Sequence, residues 1–177
     1  MQIRKCRTEE ITEVGAFYDT VVEYLDSHTN YPKWQYKIYP SEEYVRAMTA
    51  EGFQYICKED GKTVAAFVLN RDPEGDYDRG RWSVDLQDGE YMVIHALAVE
   101  PDLHGTGLGK KIVEFCIDTA RNSGFRAIRL DIVPDNHPAK HLYESVGFTY
   151  VGDEDVRPEV EHIPKFSMYE LNFDDDQ

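Results

Sequence analysis

The chain has 177 residues, 41% of them hydrophobic, and carries 19 basic against 34 acidic side chains, a formal net charge of −15. That charge would repel a polymer of phosphates except at a local basic patch, so it argues against a nucleic-acid partner, favours cationic substrates weakly and is accounted for first by solubility. The length suits one folded domain burying close to ~70% of its unfolded-chain surface. No apolar run is long enough to span a bilayer and the N-terminus lacks the apolar core of a signal peptide, so a cytoplasmic protein with no membrane partner is expected.

Gln2 to Cys6 suits an opening strand, and Thr8 with Glu9 and Glu10 is expected to cap a helix whose Ile11, Val14, Phe17, Tyr18, Val21, Val22 and Leu25 form one apolar stripe. Tyr31, Trp34, Tyr36 and Tyr39 follow in a proline-bounded segment, where they either wall a pocket or cover the core. Ser41 starts a second short helix. Residues 53–57 and 63–69 read as strands joined through Asp60-Gly61, a strong hairpin signal. The polar stretch from Arg71 to Glu90, which carries Trp82, is long for a loop and is expected to be functional or disordered. Tyr91 to Val99 is nearly all apolar, as a strand covered on both faces should be. A helix over 107–122 ends before Gly124, a strand over 126–133 follows, and Pro138 opens a helix that Gly147 closes. Residues 148–152 and 166–173 make the last strands. One domain over 1–173 and a disordered acidic tail over 174–177, with Asp174, Asp175 and Asp176, complete the organisation. Cys6, Cys57 and Cys116 lack metal or redox spacing and read as reduced, Cys116 as packing.

The most informative segment runs from Ile94 to Lys111, a buried strand, a tight glycine turn and a helix start. Gly105, Gly107 and Gly109 at every second position are expected to adopt positive φ and let backbone N–H groups converge on an anion at the positive end of the helix. Lys110 and Lys111 oppose the helix dipole in the first turn, a local cost that a bound anion offsets. A P-loop fails on spacing, since His104 stands at its first glycine and Lys111 at its hydroxyl position. A dinucleotide fingerprint fails because Lys110 or Ile112 stands where a small residue is needed. A glycine-rich turn with no ligand remains open on this segment alone.

Val99-Glu100-Pro101 through Gly109 resembles motif A of the GNAT superfamily of acetyl-CoA-dependent N-acetyltransferases, [QR]-x-x-G-x-[GA], with Gly107 and Gly109 matching and His104 in the Gln or Arg place. Asp131 through Phe148 resembles motif B, with Asn136, Ala139, Tyr143 and the closing Gly147-Phe148 in the matching positions. The likeness runs from about Phe53 to the C-terminus. It implies an α/β fold with a mixed, mostly antiparallel central sheet flanked by helices on both faces. It further implies acetyl-CoA as acetyl donor, a primary amine of a small molecule as acceptor, and direct transfer without a covalent enzyme intermediate. A homodimer stays open, and so does a sensor module that binds acetyl-CoA without turnover or a protein acceptor.

The resemblance assigns provisional roles. Leu97, Ala98 and Val99 would offer backbone hydrogen bonds to the pantetheine arm. The run His104, Gly105, Thr106, Gly107, Leu108, Gly109 and Lys110 would hold the pyrophosphate, and Asn136 and Ala139 would meet the arm from the other side. Tyr143 occupies the position that protonates the CoA thiolate, against the alternative of a core tyrosine. His95 is the base candidate, since histidine titrates near neutrality. The sequence His95-Ala96-Leu97-Ala98-Val99 is similar to the H-A-L-A-V of arylalkylamine N-acetyltransferases, but Val93 stands where their second histidine would be. A satisfied core histidine is the competing reading, and Glu90 is the fallback base. Tyr31 and Trp34 are the substrate-binding candidates. His137 and His141, at i,i+4 spacing, come with no further ligand set, so no metal is expected.

Overall fold

A computed structural model describes residues 1–173, and the expectation for the acidic tail lies outside them. In chain order the elements are β1 (Gln2–Lys5), α1 (Ile11–Ser27), α2 (Glu42–Ala50), β2 (Gln54–Glu59), β3 (Lys62–Asn70), β4 (Tyr91–Val99), α3 (Leu108–Asn122), β5 (Ala127–Ile132), α4 (His137–Ser145), β6 (Thr149–Glu154) and β7 (Phe166–Asn172). The strands form one mixed sheet, flanked by helices, in the order β1-β2-β3-β4-β5-β7-β6. The β1/β2, β2/β3, β5/β7 and β6/β7 ladders are antiparallel, and β4/β5 is parallel. Among the described residues no helix is long and apolar enough to cross a membrane.

The chain divides into two compact units, Met1–Leu69 with His95–Ile112, and Asn70–Ile94 with the chain from Val113 onward. In the first, Ile11, Val14, Phe17, Tyr18 and Val21 of α1 pack with Val45, Ile56, Ala66, Ala96 and Ala98, as the helical spacing of the apolar stripe requires. In the second, Tyr91 and Val93 of β4 join Ala127, Val133, Val156, Phe166 and Met168.

Local signals explain most boundaries. Asp60 and Gly61 take φ of 50° and 78°, the left-handed pair that a two-residue hairpin turn demands. Ser41 caps α2 by accepting from the Tyr44 N–H at 3.1 Å. The N-terminal cap of the first helix differs from expectation. Thr8–Glu10 form a 3-10 turn, and the reach-back comes from Glu10, whose carboxylate accepts from the Arg7 N–H at 3.0 Å. Arg4 and Lys58 close on the same carboxylate at 2.7 and 3.2 Å, a better partner set than a threonine hydroxyl offers, and they hold Glu10 down at about 2.

Candidate functional site

In the first unit the site is built from the second half of β4 and the loop that follows. Midway along β4, Ala96 has φ of 50°, a left-handed conformation that a non-glycine residue adopts only when its surroundings hold it there. The Tyr18 hydroxyl does so, donating to the Ala96 carbonyl at 2.8 Å, while Gln54 Nε2 donates to the Phe67 carbonyl at 3.0 Å and to the Tyr18 oxygen at 3.4 Å. Tyr18 and Gln54 are fully buried. The parallel ladder to β5 covers only Tyr91, Val93 and Met92 between them, ending at Val93 opposite Arg129. His95, one residue before the kink, is 6% exposed.

Beyond Val99 the strand passes into a 3-10 turn at Pro101–Leu103. His104 Nε2 lies 3.1 Å from the Val99 carbonyl, and its ring meets Tyr24 edge-on at 6.1 Å. Gly105 and Gly107 have φ of 77° and 87°, and a Cβ added at either would meet no described atom within 4 Å. Gly109 departs from expectation. It is the second residue of α3 and has no positive φ, because the helix starts at Leu108 and leaves only two left-handed positions in the turn.

The Lys111 N–H donates to the Gly107 carbonyl at 3.1 Å, which makes Gly107 the N-cap. A glycine cap brings no side-chain acceptor for the first-turn N–H groups, which have no intrahelical partner. The first turn holds no acid, and Lys110 and Lys111 are exposed there. Exposed first-turn N–H groups and two lysines give this helix end a positive character.

In the second unit, α4 carries Asn136, Ala139 and Tyr143 at or beside its turns. The Asn136 side chain caps α4, its Oδ1 accepting from the Ala139 N–H at 3.2 Å, which leaves the amide nitrogen to donate elsewhere. The far end is a Schellman motif. The Phe148 N–H donates to the Tyr143 carbonyl at 3.1 Å, the Gly147 N–H to the Glu144 carbonyl at 3.1 Å, and Gly147 has φ of 99°. Its hydrophobic contact is Tyr143 against Phe148, ring centroids 5.4 Å apart and edge to face. The Gly-Phe pair thus fixes the tyrosine ring. Tyr143 is 5% exposed, and its hydroxyl makes no hydrogen bond among the described residues. Burial, helped by the nearby Asp131 carboxylate, holds this phenol protonated well above the usual range.

Sequence reasoning missed a second buried polar centre in this unit. Arg157 Nε and Nη2 reach Asp131 at 3.1 and 2.8 Å, Nη2 also donates to the Pro73 carbonyl at 2.9 Å and Nη1 to that of Glu74, and the Tyr77 hydroxyl donates to Asp131 Oδ1. The partners lie 26, 54 and 84 residues apart along the chain, and no local pattern joins them. The segment Arg71–Glu90 is accordingly built rather than loose, with Tyr77 and Leu86 buried. Trp82 donates from Nε1 to the Tyr77 carbonyl at 2.7 Å and covers Arg129 at 4.3 Å.

Other candidates separate. Glu90 accepts from the Gln87 N–H at 2.6 Å and pairs with Arg126 at 3.1 Å, contacts that lower its carboxyl below the usual range and make it a weak base. Trp34 and Tyr39 pack on the first core, and Trp34 meets Tyr18 edge-on at 6.2 Å. Tyr31 is half-buried and Tyr36 exposed, so the cluster covers the core with some members and faces solvent with others. The three cysteines are free and buried. His137 and His141 are exposed, and no group of three or more metal-ligating side chains forms among the described residues.

The sequence model of the acetyltransferase (GNAT) family matches residues 18–148. The chain is similar to the mycothiol acetyltransferase of Propionibacterium freudenreichii, 31% identical over 110 residues that make up 61% of this chain and 35% of that protein. It is also similar to the L-amino acid N-acyltransferase MnaT of Escherichia coli, 25% identical over 84% of this chain and 79% of that one. In structure it resembles a GNAT family acetyltransferase from Streptococcus agalactiae, with a TM-score of 0.79 and 18% identity over 98% of this chain and 95% of that one.

Proposed function

Because the chain belongs to the acetyltransferase (GNAT) family, whose members use acetyl-CoA as acetyl donor, we propose that it moves an acetyl group directly from acetyl-CoA to the primary amine of a small molecule. The observation that carries the reading is the start of α3, a glycine-capped helix end with two lysines and no acid in its first turn, entered through two left-handed glycines. Residues 104–110 would hold the pyrophosphate there through backbone N–H groups and the Lys110 charge. The peptide groups of Leu97, Ala98 and Val99, past the end of the parallel ladder, would pair with the pantetheine arm, and the free amide nitrogen of Asn136 would donate to it beside Ala139.

Acetyl-CoA, when bound, supplies a thioester; the C–N bond to the acceptor forms and the C–S bond breaks. Two protons then need carriers. Tyr143, protonated and with its hydroxyl uncommitted among the described residues, would give one to the departing sulfur. His95 would take the other from the amine, directly or through water. Glu90 is the weaker base because Arg126 and the Gln87 N–H stabilise its ionised form. Tyr31 and Trp34 would border the acceptor. The domain is proposed to run over 1–173, with a homodimer open.

The test is acetyl-CoA-dependent thiol release across pools of arylalkylamines, polyamines, amino acids and short peptides, each against an amine-free blank. Release with one small-amine pool supports the reading. Release with peptides alone would replace it by a protein acceptor, and acetyl-CoA binding with no release from any pool would favour the sensor module.

A further inference from the structure

The side chain of His104 turns back onto the strand it follows. Its Nε2 lies 3.1 Å from the Val99 carbonyl, and because a carbonyl can only accept, that nitrogen carries the N–H of the ring. The Glu100 N–H belongs to the same peptide unit as this carbonyl and donates to the Val64 carbonyl of β3 at 2.8 Å. A planar trans unit points its N–H and C=O in opposite directions, so the Val99 carbonyl leaves β4 on the side away from β3. On that side the parallel ladder to β5 has already ended at Val93. His104 therefore takes an acceptor that the ladder leaves open.

Two further sets of contacts hold the ring and its loop. Tyr24 of α1 meets the His104 ring edge-on at 6.1 Å and is itself stacked on His28 at 4.0 Å. The Thr106 hydroxyl and N–H both donate to the Leu103 carbonyl, at 2.7 and 3.3 Å, and the His104 N–H donates to the Pro101 carbonyl at 3.1 Å. Residues 101–106 are thus bonded into one piece, and where His104 is held the glycine turn is held with it. A neutral imidazole that spends its one N–H on a carbonyl presents a bare lone pair at Nδ1, which a phosphate repels. The ring in this form is suited to bracing the turn, not to binding an anion.

We propose that His104 is a positioning residue: it ties the glycine turn to β4 at Val99 and so sets the spacing between the N–H groups of the turn and the strand edge at Leu97 and Val99. This role rests on the acetyl-donor part of the proposed function, in which the turn holds the pyrophosphate and the strand pairs with the pantetheine arm. One donor molecule must meet both at once, so its affinity depends on their spacing, whereas a fragment that reaches only the turn is indifferent to it. Val99 keeps its N–H for the arm, because its carbonyl is taken.

The experiment is a calorimetric titration of the full chain with acetyl-CoA and with adenosine 3′-phosphate 5′-diphosphate, the part of the donor that carries the pyrophosphate but no arm. His104→Ala should weaken acetyl-CoA by roughly three- to ten-fold, the net effect of one hydrogen bond, and leave the nucleotide within about two-fold. His104→Gln, whose side-chain N–H groups can serve the same carbonyl, should return acetyl-CoA to within about two-fold of the wild type. In ¹⁵N–¹H spectra at mildly alkaline pH the His104 ring should be the Nε2–H tautomer, a readout of the tie that needs no ligand. Equal weakening of both ligands in His104→Ala would make His104 a phosphate ligand and overturn the proposal. Unchanged acetyl-CoA affinity in His104→Ala, no recovery in His104→Gln, or the Nδ1–H tautomer would overturn it too. A wild-type chain that binds neither ligand removes the acetyl-donor reading itself, and this role with it.

Discussion

The Tyr18 hydroxyl donates to the carbonyl of Ala96 at 2.8 Å, and Ala96 is the one residue of β4 with a left-handed backbone, φ 50°. A helix residue and a strand residue 78 positions apart thus share responsibility for the kink that precedes Leu97, Ala98 and Val99. Tyr18→Phe should lower unfolding free energy by about 1–3 kcal/mol, since it leaves a buried carbonyl unmatched at a strained residue. It should also raise the KM for acetyl-CoA. Denaturant unfolding and steady-state kinetics check both, and a variant with wild-type stability would show that the kink holds itself.

Tyr143→Phe keeps the ring that packs on Phe148 and removes only the hydroxyl. Acetyl-CoA binding by calorimetry should be unchanged, with kcat reduced about ten-fold or more, the low end of general-acid contributions. Unchanged turnover would return Tyr143 to a purely structural role.

Gly107→Val tests the backbone's approach to the phosphate. It places a β-branched side chain at φ 87°, where an L residue is strained whatever space surrounds it. The turn must shift to relieve that strain and carries the N–H groups at the start of α3 with it, so acetyl-CoA affinity should fall by roughly ten-fold or more, two lost hydrogen bonds of about 0.7 kcal/mol each. Wild-type affinity would move the phosphate away from this helix end.

Arg157→Leu strands the Asp131 carboxylate, whose side chain is 7% exposed. A loss of about 3–5 kcal/mol is expected from an uncompensated buried charge. The double variant with Asp131→Asn should be markedly less destabilised than Arg157→Leu alone. Additive losses in a double-mutant cycle would contradict a direct pairing.

Glu10 sits at about 2 because Arg4 bonds its carboxylate, with the Arg7 N–H and Lys58 assisting. A depressed carboxyl contributes stability that is full above its ordinary value of 4.5 and is lost as pH falls through the folded value of about 2. Glu10→Gln should therefore flatten the stability profile across that acid window and lower stability above it by roughly 1–3 kcal/mol. A profile as steep as the wild type would assign the acid sensitivity elsewhere.

Patterns repeating within a few residues were legible beforehand: the apolar run that became β4 from Tyr91 to Val99, the stripe of α1, the Asp60-Gly61 turn and the Ser41 cap. The two motifs placed the glycine turn and Tyr143 in their elements. What stayed hidden depends on partners remote in sequence. Nothing around Ala96 announces a kink that Tyr18 holds, and nothing around Arg157 points to Asp131 or to the carbonyls of Pro73 and Glu74. Glu90 looked like a base because Arg126, 36 residues on, was out of view. Thr8 was the better cap by residue type, yet Glu10 prevailed because two cations from other strands converge on it.

The glycine cap of α3 also bears on motion. A helix whose first turn has no internal acceptor frays there, and amides that open locally exchange with solvent faster than those behind them. An anion seated at that end would act as the missing cap and slow the exchange of Gly109 and Lys110 before it touched the melting of the rest of the chain. Deuterium uptake over those two amides would then report donor occupancy on its own, without an acceptor and without turnover.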